Sequence, residues 1–236
     1  MKGNRFDRCF NVFILAGMSV ALVLATALKF ASAGSGRWML LVSAFGSLMG
    51  VLATVCSANG KIITFLFGLL DVSIYGVMCF IGQKYGNAIL HFLYFVPMQF
   101  VGFAQWRRRG QTSEHKVNAR FLTGKLRFWC GAALVLGSTG VFFALRLSGA
   151  AGDTLIYDAV SVVCNIIGQL LMSTAYMEQW FFWIGVNISS IIMWSVTLAS
   201  APDSSYALIY IIKYSFYLIN AINGLRIWLH LAKSNN

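Results

Sequence analysis

Eight apolar runs occupy most of the 236-residue chain, and this succession constrains its fold more than any other feature. A helix that crosses a bilayer needs about 20 consecutive, mostly apolar residues. The runs span residues 10–28, 38–57, 62–82, 88–106, 128–147, 155–176, 180–200 and 206–230. Charged residues make up only 11% of the chain, whereas soluble domains contain roughly 25%. We therefore predict an all-α integral membrane protein with about eight transmembrane helices in a lipid bilayer.

The basic residues behind the formal net charge of +11 lie in short loops and not on one amphipathic face. This pattern indicates orientation in a membrane and disfavours nucleic acid as a partner. If the N-terminus is cytoplasmic, the opposite loops carry only Lys29, Arg37, Lys84 and Arg146. The cytoplasmic loops then carry Lys2, Arg5, Arg8, Lys61, Arg107, Arg108, Arg109, Lys116, Arg120, Lys125, Arg127, Arg226 and Lys233. Because cytoplasmic loops are enriched in Lys and Arg, we expect both termini in the cytoplasm.

The first apolar run also has features of a secretory signal. Basic residues precede it, and the sequence Ala31-Ser32-Ala33 follows it like a cleavage site. Cleavage after this run is the alternative to a permanent first helix.

The chain lacks the spacings that usually accompany catalysis or cofactor binding. Its five cysteines lie in separate runs without paired spacing or an adjacent histidine, so we predict no disulfide framework, metal site or cofactor. The enzymatic alternative is an intramembrane hydrolase that uses Asp71 with His91. No nucleophile-elbow motif or metal-binding histidine pair accompanies these residues, and we therefore expect no enzyme.

The chain divides at its one clearly polar segment into two parts that can be aligned weakly. An offset of 117 places Ala58 on Ala175 and Gly68 on Gly185. Nearer the ends of the parts, an offset of 122 places His91 on Lys213, Gly102 on Gly224 and Trp106 on Trp228.

This alignment predicts one N-terminal helix plus a 3+1+3 arrangement of two parallel three-helix repeats. The predicted divisions are 1–37 for the tail and additional helix, 38–106 for the first repeat, 107–154 for the basic loop and linker helix, and 155–236 for the second repeat and C-terminal tail. Parallel repeats are a known transporter plan, with the solute site near the midplane. The alternative is an old duplication without transport.

Polar and aromatic stripes follow three of the predicted helices. Polar groups within hydrocarbon are expensive unless they face the bundle interior or a wet cavity, so each is a functional candidate. At 100° per residue, the stripes comprise Asp158, Ser161, Asn165 and Gln169; Trp180, Trp183, Asn187 and Trp194; and Lys213, Tyr217 and Asn220, with Asn223 slightly aside. The alternatives are amides that only join helices and, for Trp180 and Trp183, an interfacial aromatic belt.

The first repeat has fewer such residues. Thr64, Asp71 and Tyr75 share one face, whereas His91, Tyr94 and Gln99 flank Pro97. Proline removes an intrahelical hydrogen bond, so we expect the carbonyl of Leu93 to be freed and the helix to bend. Asp71 is expected to pair with His91, and Asp158 with Lys213, either as structural ion pairs or as parts of a proton relay.

The run Glu178-Gln179-Trp180-Phe181-Phe182-Trp183-Ile184-Gly185-Val186-Asn187 resembles the tryptophan signature of the PnuC family of bacterial nicotinamide riboside transporters. The resemblance implies an inner-membrane carrier of nicotinamide riboside with a plan like that of the SWEET sugar carriers. It also implies a homotrimer and uptake made one-way by cytoplasmic phosphorylation. The signature residues carry over onto Trp180, Trp183 and Asn187, and the family's first-repeat glutamine onto Gln99.

We therefore expect a passive riboside carrier that uses alternating access. The expected substrate-binding residues are Trp180, Trp183, Asn187, Gln99, Asn165, Gln169, Lys213, Tyr217, Asn220 and Asn223. The alternatives are a carrier of thiamine or riboflavin, an ion-coupled carrier, and a substrate-capturing subunit of an ATP-driven importer. Since Arg146 and Arg226 are assigned to the loops, Lys213 is the one fixed positive charge expected within the membrane, and a phosphorylated product should be rejected.

Overall fold

The helices of the chain follow the apolar runs closely. The computed structural model describes residues 5–30, 37–81, 85–110, 116–149, 154–200 and 205–234, apart from the side chains of residues 29, 85–87 and 205–210. The helices are α1 (Arg5–Phe30), α2 (Arg37–Ala58), α3 (Thr64–Ile81), α4 (Tyr85–Leu90), α5 (Val96–Arg109), α6 (Gly124–Leu147), α7 (Leu155–Ser173), α8 (Gln179–Ser200) and α9 (Ser205–Ser234).

The predicted all-α membrane fold is confirmed. Seven helical stretches of the described chain are long and apolar enough to cross a bilayer, and they match the first seven predicted runs. The eighth run corresponds to α9, which is 30 residues long. Large apolar side chains such as Phe128, Leu136 and Leu147 on α6 are exposed, which suits a helix that faces lipid.

The fourth span departs from a regular α-helix where Pro97 was expected to disturb it. A π-helical turn, His91–Phe95, separates α4 from α5. The Val96 N–H donates to the His91 carbonyl oxygen, five residues earlier, in place of the usual four. Because Pro97 has no N–H for the Leu93 carbonyl, a wider turn is a direct consequence of its position.

The chain forms two compact units, residues 1–117 and 118–236. In the first unit, α1 packs on α2, α2 on α3, and α3 on α5. In the second unit, α6 packs on α7, α7 on α8, and α8 on α9, which places α8 between two neighbours. Each predicted triplet therefore carries one additional helix against its first helix. The predicted parallel relation of the triplets and the four-part division of the chain stay predictions.

The same helix-terminating turn follows the first helix of each triplet. Gly60 and Ala175 have positive φ values of 67° and 60°, and the surrounding amides form the hydrogen bonds of a Schellman motif. These bonds are Gly60 N to Ser57 O (2.9 Å) and Lys61 N to Cys56 O (2.9 Å), and Ala175 N to Met172 O (3.0 Å) and Tyr176 N to Leu171 O (2.9 Å). The offset at this turn is thus 115, so the predicted offset of 117, which paired Ala58 with Ala175, is wrong here. The residue with positive φ fixes the alignment of the two turns, and Ala175 therefore aligns with Gly60.

Near the end of each triplet, a glycine lets an aromatic ring pack directly against a helix backbone. A Cβ atom on Gly102 would overlap the Phe65 ring, and one on Gly224 would lie 2.5 Å from the Trp180 ring. The same rings contact the buried Trp106 and Trp228 edge-on, with centroid distances of 4.8 and 6.2 Å. The aligned pairs at offset 122 therefore make equivalent contacts in their own units.

We expect Gly102→Ala and Gly224→Ala each to lower the free energy of unfolding by about 1–3 kcal/mol, since the added methyl group forces a buried ring to move. Thermal unfolding of the purified protein in detergent would measure the change. Gly140→Ala on α6 is the matched control, because a Cβ atom there meets nothing within 4 Å. Equal melting temperatures for all three variants would contradict the proposed close approach.

Candidate functional site

The two signature tryptophans lie on α8, but they contact different neighbouring helices. Trp180 packs towards α9, against Gly224 and the ring of Trp228. Trp183 packs towards α7, where a Cβ atom on Gly168 would lie 3.3 Å from its indole. The predicted shared sector is therefore divided between two helix interfaces. Their positions differ by about 60° around α8, and this is enough to separate their contacts.

Trp180 belongs to the packed interior of the second unit. Its side chain is only 2% exposed, and its indole N–H has no hydrogen-bond partner within the described chain. A buried tryptophan usually finds such a partner. In this conformation Trp180 supports the α8–α9 contact, and its ring is not open to a solute.

Trp183 is half-buried and has a fixed orientation. Its indole Nε1–H donates to the Gln179 Oε1 atom at 3.4 Å, one turn earlier on the same helix. Gln179 is fully buried, and its Nε2 atom has no partner among the described residues. Of the two tryptophans, Trp183 thus offers the accessible ring for stacking.

Asn187 lies one turn beyond Trp183 and is buried, with 6% of its surface exposed. It is eight residues from the start of α8, which corresponds to a depth of about 12 Å along the helix axis. A hydrocarbon layer is about 30 Å thick, so this amide approaches the middle of the membrane. Trp183 and Asn187 together place an aromatic face and a hydrogen-bonding group on adjacent turns.

The predicted amides of α7 are satisfied within their own helix. Asn165 Nδ2 donates to the Ser161 carbonyl oxygen at 2.9 Å, and Gln169 Nε2 donates to the Ser173 hydroxyl at 3.4 Å. Gln169 is buried and Asn165 is half-buried, whereas Asp158 is exposed. These local bonds compete with binding of a solute and explain how the amides are tolerated in the membrane. The predicted pairing of Asp158 with Lys213 stays a prediction.

The predicted residues of α9 form two groups along the helix. Lys213 and Tyr217 are half-buried, and the Lys213 ammonium lies 5.4 Å from the Tyr217 ring centroid. Asn220 and Asn223 are buried one and two turns further on. Asn223 Oδ1 accepts bonds of 3.1 and 2.9 Å from Arg226, whereas its Nδ2 atom has no partner in the described part of the chain.

Gln99 occupies a comparable environment in the first unit. It is 4% exposed, and its Nε2 atom donates to the Phe95 carbonyl oxygen at 3.3 Å. Its Oε1 atom lies against Gly68 and has no hydrogen-bond partner among the described residues. An unsatisfied buried acceptor costs about 1–3 kcal/mol, so this amide is maintained at a cost to stability. A pocket that Gln99 shares with Trp183 stays a prediction.

Asp71 and His91 of the first unit are likewise held among close neighbours. A Cβ atom on Gly50 would lie 2.9 Å from the Asp71 carboxylate. The His91 ring lies in the π-helical turn, 4.7 Å from the Tyr75 ring and 4.9 Å from the Phe95 ring. Their predicted pairing stays a prediction.

Comparisons with known proteins show the family to which the chain belongs. A family model described as "Nicotinamide mononucleotide transporter" matches residues 40–230. The chain is 37% identical to the nicotinamide riboside transporter PnuC of Neisseria mucosa, over 84% of this chain and 74% of that protein. It is 31% identical to PnuC of Haemophilus influenzae, over 84% and 82% of the two chains. The chain belongs to the PnuC family.

A solved structure extends the family assignment to the whole fold. The crystal structure of the vitamin B3 transporter PnuC superposes with a TM-score of 0.72 and 32% identity, covering 99% of this chain and 94% of that one. The resemblance drawn from residues 178–187 is thereby confirmed. The chain is a multi-pass membrane protein of a transporter family.

Three residues near the PnuC-type tryptophans were not predicted as part of the site. Gln179 fixes the Trp183 indole, Gly168 leaves room for it on α7, and the buried Glu178 immediately precedes α8. The spacing of Gln179 one turn before Trp183 is a usable signal. Glu178 is one of only seven acidic residues in the chain, and such a rare charge beside a tryptophan motif is another.

We expect Gln99→Met to leave the melting temperature in detergent unchanged or to raise it. The substitution removes a buried amide with an unsatisfied oxygen and keeps a side chain of similar length, and such replacements can be neutral or stabilising. Asn59→Leu is the contrasting variant, because Asn59 exchanges two hydrogen bonds with Asn11, of 3.1 and 3.0 Å. Asn59→Leu should lower the melting temperature. A large loss in Gln99→Met would show that this amide stabilises the fold.

Proposed function

We propose that the chain carries nicotinamide riboside across the bacterial inner membrane by facilitated diffusion, with both termini in the cytoplasm. The observation that carries the proposal is the likeness of the whole chain to the vitamin B3 transporter structure. The names of the curated relatives support the same substrate. As members of this family are transporters, the chain acts by moving its solute and not by transforming it.

The chemistry of the candidate site suits the riboside. Its pyridinium ring carries a positive charge, and a cation on an indole face gains about 2 kcal/mol or more when both are desolvated. The half-buried Trp183 supplies that face. Asn187, with one carbonyl acceptor and two N–H donors, can bond the carboxamide or the ribose hydroxyl groups.

Alternating access would expose the bound riboside first to one side of the membrane and then to the other. The driving force would be the riboside gradient alone, and phosphorylation in the cytoplasm would trap the product. The assembly would be a homotrimer in the bilayer. Uptake by purified protein in liposomes tests the mechanism: riboside should equilibrate without an ion gradient. Accumulation that depends on a proton or sodium gradient would refute facilitated diffusion.

Nicotinamide mononucleotide is a second candidate substrate, because the matching family model bears its name. Its phosphate needs positive charge in the site, and the Lys and Arg residues inside the helices beyond their end turns are Lys213 and Arg226. Both already have partners: Lys213 lies beside the Tyr217 ring, and Arg226 donates to Asn223. We expect the riboside to bind more tightly. Competition against labelled riboside by the mononucleotide, thiamine and riboflavin would rank the candidates. Binding without uptake by the purified protein would instead favour a substrate-capturing subunit.

We expect Trp183→Ala to weaken riboside binding by about 1–3 kcal/mol, the usual contribution of stacking on an aromatic ring. This corresponds to roughly 5- to 150-fold in Kd, measured by titration calorimetry in detergent. Trp129→Ala is the matched control, since Trp129 is 58% exposed on α6. The Kd should not change in the control. Unaltered binding by folded Trp183→Ala would exclude this indole from the site.

A further inference from the structure

Glu178 is a buried acid at the boundary between the α7–α8 turn and α8. Its side chain is 6% exposed, and its carboxylate is bound from outside its own helix. The Leu122 backbone N–H donates to both oxygens at 3.1 and 3.0 Å. Arg127 donates to Oε1 through Nε at 3.0 Å and through Nη2 at 2.9 Å. Leu122 lies 56 residues earlier in the chain, in the segment that leads into α6, and Arg127 lies 51 residues earlier, in the first turn of α6.

The same segment contacts the α7–α8 turn at a second place. The Arg120 backbone N–H donates to the Ala175 carbonyl oxygen at 3.1 Å, and the Met177 N–H donates back to the Arg120 carbonyl at 2.9 Å. The Arg120 guanidinium lies 3.9 Å from the Tyr176 ring centroid. Its Nε atom also donates to the Thr174 carbonyl oxygen at 3.3 Å. Residues 120–127 therefore hold the whole turn that precedes α8.

The turn itself does not need this acid. The α2–α3 turn forms the same Schellman hydrogen bonds, and its Gly60 carbonyl also accepts a backbone bond, from Val117 at 2.9 Å. The residue that corresponds to Glu178 at the offset of 115 is Ile63, which is 44% exposed. A buried charge that loses its partner is costly. Such a charge, absent from the equivalent turn, points to a role beyond forming the turn.

The position of Glu178 indicates what that role is. Its carbonyl oxygen accepts the Phe181 N–H at 3.1 Å in the first turn of α8. The next residue is Gln179, which orients the Trp183 indole. A shift at the start of α8 would therefore be transmitted to the two side chains that prepare the stacking face.

We propose that Glu178 is a positioning residue for the site on α8: held by the Leu122 N–H and Arg127, it fixes the start of the helix and hence the orientation of Trp183. The inference rests on the proposed function in one respect, because the ligand whose affinity reports it is nicotinamide riboside. Residues 120–127, at the start of the second compact unit, thereby control how well the site is prepared.

Uptake kinetics in liposomes test the proposal with Glu178→Gln and Arg127→Ala. Each variant should raise KM by about 10-fold, the effect of losing one charge-assisted hydrogen bond, and leave Vmax within about twofold of wild type. The double variant should be no worse than the worse single variant, because both remove one interaction. Arg127→Lys, which keeps the charge, should recover part of the affinity. Lys125→Ala removes an exposed charge from the same turn of α6 and should change nothing.

Hydrogen–deuterium exchange reports on the same contact without any ligand. The Gln179, Trp180 and Phe181 amides donate to carbonyls of the turn at 3.1–3.3 Å, so their exchange should accelerate in Glu178→Gln. Arg127→Ala keeps the experiment decisive if Glu178→Gln misfolds, since the Arg127 side chain is 55% exposed. Unchanged exchange and KM in Arg127→Ala, or a fall in Vmax at constant KM, would overturn the inference.

Failure of the proposed function would have a different signature. Wild-type protein would then neither bind nor take up the riboside, whereas the exchange of the α8 amides in the variants would still show whether Glu178 fixes the start of the helix.

Discussion

The interior of a bilayer offers no water to polar groups, and this constraint governs both the fold and the site. Helices satisfy the backbone, but each buried side-chain amide must find a partner within the protein. Asn165 and Gln169 do so on their own helix. Gln99, Gln179 and Asn223 each keep one buried atom without a hydrogen-bond partner among the described residues. These three residues lie on α5, α8 and α9, which also carry residues of the predicted site, and a polar solute bound there would supply hydrogen bonds that the described residues do not.

The two units use one packing solution for different purposes. A glycine near the end of each triplet admits an aromatic ring, which is Phe65 in one unit and Trp180 in the other. Phe65 packs against its glycine without belonging to any predicted site. Packing alone is therefore sufficient to explain the burial of Trp180. Trp183 corresponds at the offset of 115 to Gly68, which instead leaves room for Gln99. The equivalent positions are thus occupied by an indole ring in the second unit and by a glycine that makes room for the Gln99 amide in the first.

The sequence predicted the helices well because membrane spans depend on length and apolarity, which are properties of single segments. It predicted the tryptophan sector less well. Helical phase places Trp180 and Trp183 on one side of α8, but only the positions of α7 and α9 determine which indole ring is buried.

The offset of 117 was wrong at the turn because it matched alanine with alanine, whereas the structure matches the two residues that have positive φ. An alanine at φ 60° is unusual, so the residue type does not predict the left-handed conformation of Ala175. The partners of Glu178 could not be predicted from the sequence either, because they lie more than 50 residues earlier in the chain.

In each triplet, a polar side chain joins the turn after the first helix to the additional helix that precedes the triplet or to the segment just before that helix. In the second unit the tie is the ion pair of Glu178 with Arg127 on α6. In the first unit it is the amide pair of Asn59 with Asn11 on α1. The α1 helix also buries Ile14 and Met18. Removal of α1 as a cleaved signal would leave Asn59 without two of its hydrogen bonds and would expose part of the unit's interior, which argues against that interpretation. The two additional helices therefore have corresponding structural roles. In the second unit the contact is an ion pair, and its acidic partner lies directly before the helix that carries the tryptophans.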